Sequence, residues 1–236
     1  MSLKEKFVFN FIDDGRWHYI VDGLKVTLEV TFFAVLLGIA LGVIIAIVRS
    51  TYDKNKSSMR GVSKFIVVLL NFICKIYLTV IRGTPVVVQL MIMYFIVLVS
   101  SNNKVLVAVL AFGFNSAAYV AEIFRSGIMS IDGGQFEAGR SLGFNYVQTM
   151  RYIIIPQAFK NVLPALANEF IVLLKETSVA GYVGLADLTK GGDIIRSRTF
   201  QAFMPLIGVA VIYLVMVMFF TWLVGILERR LRDSER

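Results

Sequence analysis

From Met204 to Leu227 the chain carries no charged residue. A helix needs about 20 apolar residues to cross a bilayer's hydrocarbon core. A backbone in lipid must also satisfy its own hydrogen bonds, which leaves helices or closed barrels. That run therefore reads as a membrane-spanning helix, and similar runs recur along the chain. Apolar residues make up 57% of the sequence and charged residues 17%. Soluble domains carry about a quarter charged residues. A low-hydrophobicity disordered chain is excluded by the same composition. The net charge of +8 falls between apolar runs rather than on one face, which disfavours nucleic acid and suits basic cytoplasmic loops. One cysteine, Cys74, excludes an intrachain disulfide and a cysteine metal site, and the single His18 excludes multi-histidine zinc chemistry. The expected fold class is an all-α integral membrane protein.

The spans follow in order. Residues 1–19 are mixed and charged, with no short apolar core before a small-residue cleavage site. The first span runs from Ile20 to Val48, with Gly38 and Gly42 spaced for close helix contact. A basic loop, Arg49 to Arg60, follows. The apolar stretch Val62 to Val99 is interrupted by Arg82-Gly-Thr-Pro85. Proline lacks an N–H and disfavours helix in the residue before it, so the stretch reads as a helix, a break and a second helix. Arg82, beside the break, is the expected donor to its freed carbonyls. Further spans run from Val105 to Phe124, Ile153 to Leu174 and Met204 to Leu227. The tail carries Arg229, Arg230, Arg232 and Arg236.

Parity orients the chain. With the Arg49–Arg60 loop cytoplasmic and Val62–Val99 crossing once, the Arg125–Arg151 segment and the basic tail are also cytoplasmic. That gives five crossings, with residues 1–19 outside, 20–230 as the transmembrane domain and 231–236 as a cytoplasmic tail.

The loop at about 125–156 contains its own local structure. Asp132 is a plausible N-cap, Gln135 to Leu142 makes about two helical turns, and Gly143 is a natural stop. Asn145 to Tyr152 forms a second short helix, and Pro156 and Pro164 bend the span that follows. A short helix between spans serves as an interfacial anchor or a lever docked in another protein's groove. Periodicity leaves both open.

Here the residues resemble a family. Glu137-Ala138-Gly139, then Gly143, then Ile153, Ile155 and Pro156 are similar in type and spacing to the coupling loop of bacterial ABC importer permeases, with Gly139 and Ile155 as small departures. Asp22 to Thr31, Arg82 to Gln89, Asn168 to Ser178 and Gly184 to Leu188 resemble the polar amino-acid branch of those permeases. The matches span roughly residues 20–230.

The resemblance implies a five-transmembrane-helix ABC importer permease fold with a cytoplasmic coupling helix, in a bacterial inner membrane. It implies two separate ABC ATPase subunits, a second permease copy or close homologue, and an extracytoplasmic amino-acid-binding protein. Glu137, Ala138, Gly139, Arg140 and Gly143 would form the ATPase-docking element. The chain has no G-x-x-x-x-G-K-[ST] phosphate loop. ATP and magnesium are therefore expected on the ATPase, with no cofactor and no catalysis in this chain.

An amino acid's ammonium and carboxylate require acceptors and donors along the path. Asn115 and Tyr119 share a helix face with Glu122, bordered by Ser116. Asn161, Asn168 and Lys175 recur every seven residues, with Glu169 alongside. Glu169 is the candidate ammonium acceptor, since intramembrane carboxylates face cavities or partners. Asn168, Asn115, Tyr119 and Ser116 complete the candidate path, although such groups also act as interhelical glue. The competing mechanism is an ion-coupled secondary amino-acid transporter, a class built on internal repeats. No repeat is visible between the two halves.

Overall fold

The computed structural model describes residues 2–55 and 59–233, all of their regular structure helical. Lys56 of the expected basic loop and Arg236 of the tail lie outside them. A short helix, α1 (Leu3–Phe7), opens with a reciprocal Ser2–Glu5 capping box. Two irregular turns, Val8–Ile12 and Asp13–Gly15, lead into α2 (Trp17–Asn55). The long stretch that follows is α3 (Gly61–Gly83), an extended Thr84-Pro85 pair, then α4 (Val86–Ile92). Next come α5 (Lys104–Met129), two short helices α6 (Gly133–Ser141) and α7 (Tyr146–Thr149), and α8 (Ile155–Glu176). After a tight turn, Thr177–Val183, α9 (Leu188–Thr199) and α10 (Phe203–Asp233) complete the chain.

Among the described residues, four helices are long and apolar enough to cross a membrane: Trp17–Lys54, Gly61–Gly83, Lys104–Met129 and Phe203–Leu231. The fifth expected span, α8, has 22 residues, enough to cross at about 1.5 Å per residue. It is not among those four, because Lys160, Asn161, Asn168 and Glu169 interrupt its apolar face.

One boundary differs from the sequence reading. The loop expected from Arg49 is still helix as far as Asn55. Its last turn has a tertiary reason to persist: the Lys54 ammonium sits 3.4 Å from the centre of the Phe136 ring on α6. Pro156, expected to bend the span, sits in the first turn of α8, directly after a wide helical turn, Met150–Ile154, that runs into it.

The core is organised on α5. Its small residues Ala108, Ala111, Ala117, Ala118 and Ala121 are buried, and α2 is its most extensive partner. Gly38 and Gly42 make that approach possible. A Cβ at Gly38 would lie 2.8 Å from Ser116 Oγ, and one at Gly42 would lie 2.6 Å from Val120 Cγ1. Lipid gives helices no hydrophobic reason to associate, so close fit supplies it. By contrast α3 and α10 present mostly apolar, exposed surfaces, such as Phe65, Phe72, Phe219 and Trp222.

The end of the bundle away from α6 is clamped. Thr27 Oγ1 on α2 accepts the Leu188 N–H at 3.1 Å, and Asp187 caps α9 by accepting from the Thr189 and Lys190 N–H groups. Burial pushes the Asp187 carboxyl above its ordinary pKa, against the pull of those bonds. The N-terminal segment is tied in by Asn10. Its amide donates to Gln201 at 2.8 Å, and its carbonyl accepts from Thr199 at 3.0 Å.

Gly42→Val should lower the melting temperature of the detergent-solubilised chain, by the equivalent of about 1–3 kcal/mol of overpacking. Gly225→Ala, where a Cβ meets nothing, should leave the melting temperature unchanged or slightly raised in the same thermal-shift assay.

Candidate functional site

Two groups of candidate residues occupy different parts of the molecule. The first is on α6. Asp132 caps it as expected, accepting the Gly134 N–H at 2.6 Å. Its C-terminus is a paired turn: Gly143 N–H donates to Arg140 O at 2.9 Å and Phe144 N–H to Gly139 O at 3.0 Å. Gly143 has φ +80, the left-handed conformation that this motif requires. Asn145 then starts α7 with a second reciprocal box, bonded to Gln148 both ways at 2.9 Å.

α6 is mounted firmly. Phe136 stacks on Tyr146 of α7 at 6.5 Å between centroids, and Lys54 of α2 covers the same ring. Ile128, Ile131, Met150 and Ile154 pack beneath these aromatics. Gly139 is buried, and a Cβ there would fall 2.6 Å from Thr149 Cγ2. Of the five candidate docking residues, Gly139 therefore faces inward and binds α6 to α7. Glu137, Ala138, Arg140 and Gly143 are exposed, and Leu142 and Val147 beside them are each 70% exposed. A cleft of about 440 Å³ opens beside Glu137 and Arg140, floored by Phe136 and Tyr146. Lys54, Phe136, Tyr146 and Thr149 were missed by sequence reasoning, because an aromatic stack between two short helices leaves no periodic trace.

The second group surrounds the α3–α4 break. Arg82 does not bond the freed carbonyls there, contrary to the sequence reading. Gln89 does, one turn into α4. Its amide nitrogen donates to Ile81 O at 2.7 Å, Thr84 O at 3.1 Å and Thr84 Oγ1 at 2.8 Å. The Thr84 hydroxyl donates to Val80 O at 2.8 Å. An amide fits this task better than a guanidinium because its oxygen remains free to accept, here from Asn115 Nδ2 at 2.9 Å. The Arg82 guanidinium instead lies 5.8 Å over the Tyr119 ring.

The candidate path residues divide accordingly. Asn115 is buried against the break. Ser116 turns the other way and donates to Glu169 Oε1 at 2.9 Å, in the contact between α5 and α8. Glu169 is only 8% exposed, whereas its neighbour Asn168 is exposed. Asn168 shares an open face of α8 with Asn161 and Lys175, and Tyr119 is 37% exposed on α5. The heptad stripe is thus real, but Glu169 lies behind it rather than on it.

Residues 38–233 match the family model described as "Binding-protein-dependent transport system inner membrane component". The chain is 36% identical over 221 residues to the arginine transport system permease protein ArtQ of Bacillus subtilis, covering 92% of this chain and 94% of that one. It is 33% identical over 217 residues to the glutamine transport system permease protein GlnP of Escherichia coli K12, covering 90% and 93%. Among solved structures, a chain of "an amino acid ABC transporter with histidines" superposes with TM-score 0.78 at 43% identity, covering 90% of this chain and 94% of that one. A chain of the MetNI methionine ABC transporter has the same fold, with TM-score 0.75 at 19% identity over the whole of both chains.

Gln89→Leu should cost about 1–3 kcal/mol by stranding the carbonyls at the break, visible as a lowered melting temperature. Arg82→Gln removes no such bond and should leave that temperature near the wild-type value.

Proposed function

Because the chain belongs to the family of binding-protein-dependent transport system inner membrane components, and its relatives are transport subunits rather than enzymes, we propose that it is the permease subunit of an ATP-binding cassette importer for a polar or charged amino acid. It crosses the inner membrane five times, through α2, the broken α3–α4 pair, α5, α8 and α10. Its N-terminus lies outside and its C-terminus in the cytoplasm. The names of the relatives, glutamine and arginine permeases, support the substrate class.

The single observation that carries this reading is the mounting of α6. Its outward face, Glu137, Ala138, Arg140 and Leu142, offers charge and apolar area to a partner. Its inward face is locked to the ends of α2, α5 and α8. A partner that moves α6 therefore moves the helices that bear the polar residues. The partner is an ABC ATPase subunit, with Glu137 pairing a basic group on it. Nucleotide and magnesium bind there, not in this chain. Two permease copies or close homologues flank the path, and an external binding protein delivers the amino acid.

The open face of α8, with Asn161, Asn168 and Lys175, and the exposed Tyr119 line the path. Glu169 stands behind it, held by Ser116. When the path opens, the substrate's ammonium takes the place of the Ser116 hydroxyl on Glu169. The polarity of α8, which keeps it out of the most apolar spans, supports its position beside water rather than lipid. This reading uses coupling to ATP. An ion-driven carrier has no need for an exposed, rigidly mounted helix of this kind.

The test is co-purification with the co-expressed ABC ATPase subunit of the same organism. Wild type should hold the ATPase, and Glu137→Arg should lose it while eluting as a folded, monodisperse chain in detergent. Wild type holding no ATPase, with uptake that follows an ion gradient and ignores ATP, would overturn the assignment. In proteoliposomes of the complete transporter, Glu169→Gln should cut uptake of labelled substrate at least about tenfold, the scale of one lost charge-assisted contact. Uptake equal to wild type would remove Glu169 from the path.

A further inference from the structure

A cleft of about 520 Å³ lies between α3, α5 and the end of α2, away from both groups of residues used above except for its border with the break. Four cations line it: Arg49, Lys75, Arg82 and Arg125. Glu122 is the one carboxylate in the lining, and it is committed to Arg125, with its oxygens 2.6 and 3.3 Å from the guanidinium nitrogens. Arg125 also lies 3.6 Å from Asp53. Among the described residues no carboxylate lies within ion-pair distance of Arg49, Lys75 or Arg82. The Nε of Arg49 is buried with no hydrogen-bond partner.

The depth of this cleft follows from the sequence. Arg49 directly follows the apolar run that ends at Val48, and Arg125 follows the one that ends at Phe124. Both mark the cytoplasmic boundary of the membrane. Lys75 and Arg82 belong to a mostly apolar helix, and with Thr79 they form one face of α3 at helical spacing. The opposite face, Ile66, Leu69, Ile73 and Val80, is exposed and apolar. One side of the helix therefore meets acyl chains, while the other brings Lys75 and Arg82 beside Arg49 of α2, with Glu122 as the one carboxylate among the described residues near enough to act on them.

Basic pockets between spans on the cytoplasmic side suit anionic headgroups, and guanidinium groups grip phosphate oxygens in pairs. We propose that this cleft binds the phosphate headgroup of an anionic phospholipid from the cytoplasmic leaflet. Arg49 and Arg82 hold the phosphate oxygens, Lys75 adds charge, Thr79 can donate a hydrogen bond, and the acyl chains lie along the apolar face of α3. The proposal rests on membrane placement alone, so it stands or falls separately from amino-acid transport.

The test is native mass spectrometry of the full chain in detergent, titrated with dioleoyl phosphatidylglycerol or dioleoyl phosphatidylcholine. The wild type should bind the anionic lipid about tenfold more tightly than the zwitterionic one, as expected for a few cations at a headgroup site. The double variant Lys75→Gln, Arg82→Gln should lose that preference. The charge-conserving pair Lys75→Arg, Arg82→Lys should keep most of it, which separates lost charge from lost fold. Lys4→Gln, Lys6→Gln at the other end of the molecule should behave as wild type. Equal affinity for the two lipids in the wild type would overturn the proposal and leave the cations as side chains that reach for water. So would a preference that survives the double neutralisation. Displacement of the bound lipid by free glutamine or arginine would overturn it as well, by assigning the cleft to a substrate carboxylate.

Discussion

Inside a bilayer, helices gain nothing from hiding apolar surface, because the lipid is as apolar as they are. The contact between α2 and α5 answers that constraint by closeness. Two glycines on α2 and a row of alanines on α5 bring the backbones together, and dispersion over the length of both helices replaces the missing hydrophobic term. Everything else is attached to this pair. α8 joins α5 through the Ser116–Glu169 bond, α9 joins α2 through Thr27 and Leu188, and α6 hangs from the opposite end of α2. The outer helices, α3 and α10, are only lightly held, which suits surfaces turned to lipid or to another subunit.

The same solvent makes every unmade backbone bond expensive. The break before Pro85 exposes carbonyls at Val80, Ile81 and Thr84, and the structure repairs them with one glutamine and one threonine. The repair also has reach, because the glutamine oxygen is bonded to Asn115 on α5. A local defect in one helix is thereby fastened to the core, which allows the chain to keep a bend there without leaving it loose.

The sequence made some features legible and hid others, for physical reasons. Spans and the break were readable because transfer to lipid depends on composition and proline chemistry is local. Asp132 and Gly143 were readable because caps and left-handed stops are set by a few adjacent residues. The extension of α2 past Arg49 was not, since charged residues usually end a span and the contacts that hold this one, Lys54 on the Phe136 ring and Asp53 with Arg125, are distant in sequence. The role given to Arg82 belonged to Gln89, because choosing between two nearby donors depends on where α4 points after the turn. The polar residues of the candidate path could be named from the sequence, but the split between buried Glu169 and exposed Asn168 depends on how α8 is rotated. Gly139 looked like a contact residue of a docking motif. It is spacing material between α6 and α7, and the Thr149 that makes it so is ten residues away.

α2 runs for 39 residues without a proline. Its outer end holds the clamp on α9 and its inner end presses on the ring of α6. An uninterrupted helix of that length behaves as a stiff strut: it tilts or slides far more readily than it bends. A displacement applied at the α6 end would reach the clamp on α9 within one rigid motion. Synchrony between the two ends would then be a property of the strut itself.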